Sequence, residues 1–390
     1  MDEFFNTGLT HQQFLDEYWQ KKPLLIRQAF KGFKSPISPD DLAGLACEPE
    51  IESRLIEEKG INGSWQISHG PFSDEVFNRL PETHWTVLVQ DVDKHLPELQ
   101  YLLDPFRFIP DWRRDDLMVS YAPEHGTVGP HTDGYDVFLL QAMGTRNWKF
   151  TNHPVHNSEQ IEGIDVQILA EFFPDQDWDL EPGDMLYLPP YVAHHGVAKN
   201  DCMTFSIGFR APSQTDLLDA VISNLLEKEL ATGRYNDASL ITSAHPHQID
   251  QAAIDRLKQL LHMTIDQAAP ILADALGRYV SETKSSLTAL AEETWSDLLT
   301  VSELNKEFEE GANLQRSLYH RFAWHIDGSR GTLFMAGEPY LFDEKDFDLL
   351  PLLAENSVIT LADWQRIKTS PQSANVLCQL ISEGGFYWAD

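Results

Sequence analysis

Between Trp85 and Phe209 the chain alternates short strand-like runs with turn residues, and no other feature limits the fold as much. Trp85–Val89, Leu117–Tyr121, Tyr135–Ala142, Asn147–Thr151, Met185–Leu188 and Thr204–Phe209 are apolar runs of about four to eight residues separated by Gly, Pro, Asp and Asn. A run that short cannot bury a face alone. Many of them in succession close on one another as a sandwich or barrel. This character begins at about Ile61.

The flanks are helical. Thr10 to Gln13 is a capping box ahead of a helix carrying Phe14, Tyr18 and Trp19, which Lys22-Pro23 stops before a short strand at Leu24–Arg27. Ser38-Pro39-Asp40-Asp41 opens another helix, with a cap, a proline at the first position and acids in the first turn. After Pro212, Ser213 can cap Asp216–Leu230, where Leu217, Leu218, Val221, Leu225 and Leu226 form an apolar stripe; Ile254–Leu261 and Ala268–Val280 continue the theme. From about Glu307 a hairpin (Leu333–Met335, Tyr340–Phe342), short helices at Phe347–Ala354, Leu361–Ile367 and Ala374–Ser382, and a last strand at Phe386–Trp388 suggest a winged helix. The expected class is therefore α+β. Residues 1–211 would form a β core with an N-terminal α/β extension, 212–306 a helical dimerisation or lid module, and 307–390 a winged-helix-like domain.

The formal charge of −32 disfavours broad binding to nucleic acid or to anionic membranes, and the C-terminal part, acidic in balance, is wrong for a DNA reader. An acidic surface attracts basic protein partners instead, in a way that salt weakens. Cys47, Cys202 and Cys378 lack any CxxC spacing, which argues against a disulfide framework and a cysteine zinc site. The N-terminus has no basic and apolar leader, and no apolar run is long enough to cross a bilayer, so the expected location is the cytoplasm.

The chemistry is concentrated in two segments. In Gly129-Pro130-His131-Thr132-Asp133-Gly134, a strand would place His131 and Asp133 on one side, able to converge on one metal. About fifty residues later, Pro182-Gly183-Asp184 makes a tight turn into the strand Met185–Leu188, and Pro189-Pro190 steers the chain to His194 and His195. Adjacent strand residues face opposite sides, so only one of these histidines can join the first pair; the spacing selects His194. Two histidines and one carboxylate leave open positions on a metal, the arrangement of non-haem Fe(II) oxygenases that bind a 2-oxo acid. Zinc with the same ligands and a water stays open as a hydrolytic alternative.

A 2-oxo acid such as 2-oxoglutarate carries a second carboxylate that needs a fixed cation. Arg146, just past the turn Met143-Gly144-Thr145, offers a planar guanidinium. Lys149 falls on the opposite face by parity, and Ser120 on the preceding strand could add a hydroxyl.

GPHTDGYDVFLLQAMGTRNWKF followed by LEPGDMLYLPPYVAHHG closely resembles the JmjC-type 2-oxoglutarate oxygenases, and within them the bacterial ribosomal oxygenases of the cupin-4 type. The N-terminal KKPLLIRQAF and the order of the later segments extend the likeness over the whole chain. The resemblance implies a double-stranded β-helix (jelly-roll) core, Fe(II) at His131, Asp133 and His194, and 2-oxoglutarate held by Arg146 and Ser120. It also implies a cytoplasmic homodimer that hydroxylates an arginine of the sixteenth protein of the large ribosomal subunit. Tyr135, Asp136 and Glu124 are near enough in sequence to help read the substrate side chain. An oxygenase of the same fold acting on histidine or methyl-lysine, and a non-catalytic metal-binding cupin regulator, are the competing readings. The second is disfavoured by Asp133, which stands where an ordinary cupin usually presents a histidine.

Overall fold

A computed structural model of the chain describes residues 3–59, 64–156, 159–161, 168–242, 244–293 and 296–389. Ile61, where the strand-like stretch was expected to begin, lies outside them. The chain divides into two compact units, residues 1–211 with 285–290 and residues 212–284 with 291–390.

The first unit holds eleven described strands: β1 (Leu24–Ile26), β2 (Ser53–Lys59), β3 (Ser64–His69), β4 (Trp85–Val89), β5 (Arg114–Ala122), β6 (Asp136–Met143), β7 (Arg146–Pro154), β8 (Gln176–Leu180), β9 (Met185–Leu188), β10 (Val192–Ala198) and β11 (Cys202–Phe209). Eight form one sheet in the order β1-β9-β6-β11-β5-β4-β2-β3, and β10-β7-β8 form a second. Neighbours pair antiparallel. This is the jelly roll expected from the run of short strands.

The parity of the central strands explains why they read as continuous apolar runs. On β6, Val137 and Leu139 pack with Trp148, Phe150, Leu180 and Val192 from the smaller sheet, forming the core between the sheets. Phe138 and Leu140 point the other way into a second core with Phe4, Phe14, Phe106, Tyr187 and Phe209. Both faces of the large sheet are thus covered, and β6 and β11 are buried almost throughout. The N-terminal helix His11–Glu17 supplies Phe14 to the outer core, and its capping box from Thr10 to Gln13 forms as expected. The box at Ser38 and Asp41 also forms, opening the helix Pro39–Leu45.

The turn before β9 is tied to the N-terminal extension. Gly183 has φ +93°, and a Cβ there would lie 2.4 Å from the Phe30 carbonyl oxygen, so only glycine fits. Asp184 accepts from Arg27 Nη1 at 2.6 Å and from the Gln28 amide at 2.9 Å. Turn and extension hold each other in place, which fixes the entry to the strand leading toward His194.

In the second unit, Ser213 and Asp216 form a capping box on the helix Gln214–Glu227. Its expected apolar stripe is largely solvent-facing: Leu217, Leu218 and Leu226 are exposed, with Ile222 beside them, whereas Leu225 is buried. On the helix Gln251–Ala268, Ile254, Leu257, Leu261 and Ile265 are likewise exposed. The helix Leu272–Ser281 places Gly277 so close to Phe334 that a Cβ would meet the ring at 2.3 Å. Strands β12 (Leu314–Arg316), β13 (Phe322–Asp327), β14 (Arg330–Met335) and β15 (Glu338–Asp343) follow, and β14 and β15 form the expected hairpin. Helices Leu349–Glu355, Leu361–Ile367 and Pro371–Ser382 close on a core around Trp364, which stacks on Phe308 at 5.6 Å. No described helix is long and apolar enough to cross a membrane.

Candidate metal centre

His131, Asp133 and His194 meet at the wall of a cavity of about 310 Å³ inside the jelly roll. They form the one described group of three metal-binding side chains, with candidate ligand atoms all within 4.8 Å of one another. Asp133 Oδ2 lies 3.5 Å from His194 Nε2 and 3.9 Å from His131 Nε2. The expected strand through His131 and Asp133 does not form. His131 makes an isolated bridge to His194, and the chain turns before β6 begins at Asp136. Pro130 ahead lacks an amide donor and Gly134 behind is a weak strand former, so continuous pairing fails on both sides. The convergence survives because the bridge supplies what the strand would have: His131 and His194 exchange backbone hydrogen bonds at 3.0 and 2.9 Å.

The ring orientations are set from behind. Nδ1 of His131 is 3.0 Å from the Gly129 carbonyl, and Nδ1 of His194 is 2.9 Å from the Val192 carbonyl. A carbonyl can only accept, so each Nδ1 donates and each Nε2 keeps its lone pair toward Asp133. Burial, with the neighbouring His131 second, pushes the His194 imidazole down to about 4 and keeps it neutral at physiological pH. The Tyr191 amide donates to the Asp133 carbonyl at 2.7 Å, bracing the third ligand. Two imidazoles and one carboxylate, pre-oriented in this way, suit a divalent transition metal.

His195 faces away, its ring near Phe172 at 6.2 Å, so parity separates the two histidines as expected. Arg146 and Ser120 both line the cavity, while Lys149 is half exposed and pairs with Asp177 at 3.8 Å. The Arg146 residue is 3 % exposed, yet its Nε and Nη2 have no hydrogen-bond partner. A buried cation without acceptors is costly, and here the missing partner matches a ligand carboxylate. The Trp148 ring lies 5.8 Å from the guanidinium carbon and offers the partial compensation of a cation–π contact.

Of the candidate substrate readers, Tyr135 lines the cavity; Asp136 and Glu124 do not. The Asp133 charge, with that of Asp116 behind it, pushes the Tyr135 hydroxyl up and holds it protonated. Asp136 is fully buried and serves the scaffold, accepting from Tyr187 at 2.6 Å and Gln20 at 3.0 Å; desolvation raises its pKa. Glu124 lies beside His125 on the surface. The sequence reading missed Asp116, Met118, Ser206 and Gly208, which also line the cavity. A signal was present: Ser120 faces the cavity, so Met118 and Asp116 share its side of β5 by period two, as Ser206 and Gly208 share that of Thr204 on β11.

Comparison with known proteins gives the same picture. Residues 101–217 match the JmjC domain model, and residues 267–387 match that of the ROXA-like winged helix. The chain is 33 % identical over 388 residues to the ribosomal protein uL16 3-hydroxylase of Escherichia coli, covering 98 % of both chains. It is 35 % identical over 266 residues to a probable ribosomal oxygenase of Haemophilus influenzae, covering 67 % of this chain and 65 % of the relative. The structure of the E. coli ribosomal oxygenase YcfD in complex with cobalt and 2-oxoglutarate superposes with a TM-score of 0.79 at 31 % identity, over 98 % of this chain and 99 % of that one. Likeness of this extent, carried through both units and with the metal-ligand geometry in place, settles the family: the chain belongs to the ribosomal oxygenases, JmjC-domain proteins with a C-terminal winged helix.

Proposed function

We propose that the protein is an Fe(II)- and 2-oxoglutarate-dependent hydroxylase acting on an arginine of ribosomal protein uL16. The observation that carries this reading is the cavity itself, which joins a His-Asp-His group, a buried unpartnered Arg146 and a buried carboxylate, Asp116. A ferrous ion with 2-oxoglutarate supplies, when bound, the oxidising power to place one atom of dioxygen in a C–H bond, the other leaving in succinate as carbon dioxide is released.

The chain's own residues do the rest. His131, Asp133 and His194 would hold the metal. Arg146 would fix the distal carboxylate of 2-oxoglutarate through parallel N–H donors, with Ser120 beside it. Asp116, 8 % exposed, lies on the same wall as Ser120 and gives a cationic side chain a partner within the cavity. Leu88, Met118, Val137 and Leu139 line the space and limit water. The net charge of −32 favours encounter with a basic ribosomal protein, and we place that encounter in the cytoplasm.

The test is to incubate the purified protein with Fe(II), 2-oxoglutarate and a uL16 fragment, then map any added oxygen by mass spectrometry. One oxygen on an arginine, matched by succinate, is expected, and Asp116→Asn should cut turnover at least tenfold by removing the charge that a guanidinium pairs with. Oxygen on another residue type, or none, overturns the substrate reading.

We also propose that the protein is a homodimer through the helical module. The exposed Leu217, Leu218, Leu226, Leu257, Leu261 and Ile265 on two amphipathic helices are more apolar surface than a lone chain retains without cause. Sedimentation should give a dimer, and Leu257→Glu with Leu261→Glu should give monomers. A wild-type monomer at micromolar concentration would end that proposal.

A further inference from the structure

Tyr191 is held in a backbone conformation that suits glycine. Its φ is +64°, in the left-handed region, where the Cβ of a bulky residue crowds its own backbone. Two hydrogen bonds impose it. The Tyr191 amide donates to the Asp133 carbonyl and the Tyr191 carbonyl accepts from the Val155 amide, both at 2.7 Å. Beyond it, Val192, Ala193 and His194 are buried in β10, whose pairing with β7 shifts register between Val192 and His194. The turn from Pro190 into β10 therefore uses this conformation to bring His194 beside His131, and glycine would adopt it without strain. A tyrosine here is strained, and strain held in place beside a reactive centre points to a use for the side chain.

The ring lies at the rim of the cavity. Thr132, Asp133 and Tyr135 line the cavity, whereas Gly134 is exposed and Tyr135 is 43 % exposed, so this stretch forms part of the mouth. Tyr191 reaches across it: a Cβ on Gly134 would lie 3.7 Å from the Tyr191 hydroxyl oxygen and 3.9 Å from the ring edge. The His156 ring packs 4.9 Å from the Tyr191 ring, yet Tyr191 is still 44 % exposed. It belongs to neither core of the jelly roll. Two half-exposed tyrosines thus flank the bare backbone of Gly134.

A cavity of about 310 Å³ that also takes a metal and 2-oxoglutarate has room for a side chain and none for a polypeptide. The main chain on either side of a reacting arginine must therefore cross the mouth. Tyrosine suits that contact, offering a large rigid face that loses little freedom on binding.

We infer that Tyr191 is a substrate-binding residue: with Tyr135 it forms an aromatic ledge around Gly134, on which the polypeptide flanking the reacting arginine rests. This role rests on the proposed arginine hydroxylation and deepens it by naming what receives the chain outside the cavity.

Calorimetry on the metal-loaded full chain with 2-oxoglutarate, without dioxygen, gives the dissociation constant of a uL16 peptide directly. Tyr191→Gly should raise it about tenfold. The same variant should melt no lower than wild type, because the left-handed strain is gone. Tyr191→Phe keeps the ring and should bind the peptide within about threefold of wild type. Should Tyr191→Gly not fold, Tyr191→Asn takes its place with the same expectation, since asparagine also tolerates this conformation. Unchanged peptide binding by Tyr191→Gly, or binding by Tyr191→Phe as weak as that of Tyr191→Gly, overturns the inference while the wild type still hydroxylates the peptide. So does a loss of peptide affinity that comes with a lower melting temperature, which would make the ring part of the scaffold. A wild type that binds 2-oxoglutarate but leaves every arginine peptide unmodified overturns the substrate reading and this inference with it.

Discussion

Asp133→Ala is expected to release succinate at less than about 1 % of the wild-type rate and to lose tight binding of Co(II) or Fe(II). Asp133 is the single anion of the group; its Oδ2 lies 3.5 and 3.9 Å from the two Nε2 atoms. Without it, two imidazoles with ring centres 4.2 Å apart would be left to hold a dication with no anion beside it. Removing a residue that merely orients a metal ligand costs about 10–100-fold in affinity or activity. Removing the charged ligand itself must exceed that. His194→Ala should behave the same way, whereas His195→Ala should keep metal affinity, since its ring is directed toward Phe172. Calorimetric titration of the metal and succinate release measured together decide the matter. Equal turnover by Asp133→Ala and wild type, or a metal loss that follows His195 instead of His194, would show the ligand set to be wrong. Chelation followed by readdition separates the metals: Fe(II) should restore turnover and Zn(II) should not.

Much of this centre was legible because period two and turn chemistry are short-range. The segment Pro182 to His194 reads as turn, strand, proline break and histidine, and β9 spans Met185–Leu188 as expected. Parity placed Lys149 outside the cavity and separated His194 from His195, and the spacing after the two prolines chose His194. Three things were not legible. Strand β2, SRLIEEK, is rich in charge and gives no clean alternation, yet it carries Arg54 to the cavity and Leu55 to the core. Strand β5 was expected to begin at Leu117, one residue after Asp116, because consecutive aspartates are poor strand formers. The sheet overrode that local preference on one side, through β11, whose Phe209 stands opposite Arg114 at the start of β5. The unpartnered state of Arg146 was invisible as well, since a hairpin arginine normally ends in solvent and only the closure of β7 against β8 and β10 encloses this one.

Enclosure of Arg146 gives the second large effect, in which function and stability move in opposite directions. Arg146→Met should weaken 2-oxoglutarate binding by about 100-fold or more. Truncating one partner of a buried, hydrogen-bonded charge pair costs at least about 2–5 kcal/mol, and each 1.4 kcal/mol is a factor of ten. The same change should make the ligand-free protein more stable by about 1 kcal/mol, because Nε and Nη2 are buried without acceptors and Met fills a similar space without polar atoms to satisfy. The stacking of the guanidinium near Trp148 offsets only part of that cost. Thermal melts would show the two tendencies cross. Without co-substrate the variant should melt higher than wild type. With 2-oxoglutarate at a hundred times its dissociation constant, the wild type should gain about 2.7 kcal/mol and overtake it, while the variant should barely respond. Arg146→Lys separates charge from geometry: it keeps the cation but not the paired donors, so its affinity should fall between the other two. A variant that binds 2-oxoglutarate as tightly as wild type would remove Arg146 from the site. A variant that loses both binding and ligand-free stability would show that the guanidinium holds the cavity together and is not held in reserve for a carboxylate.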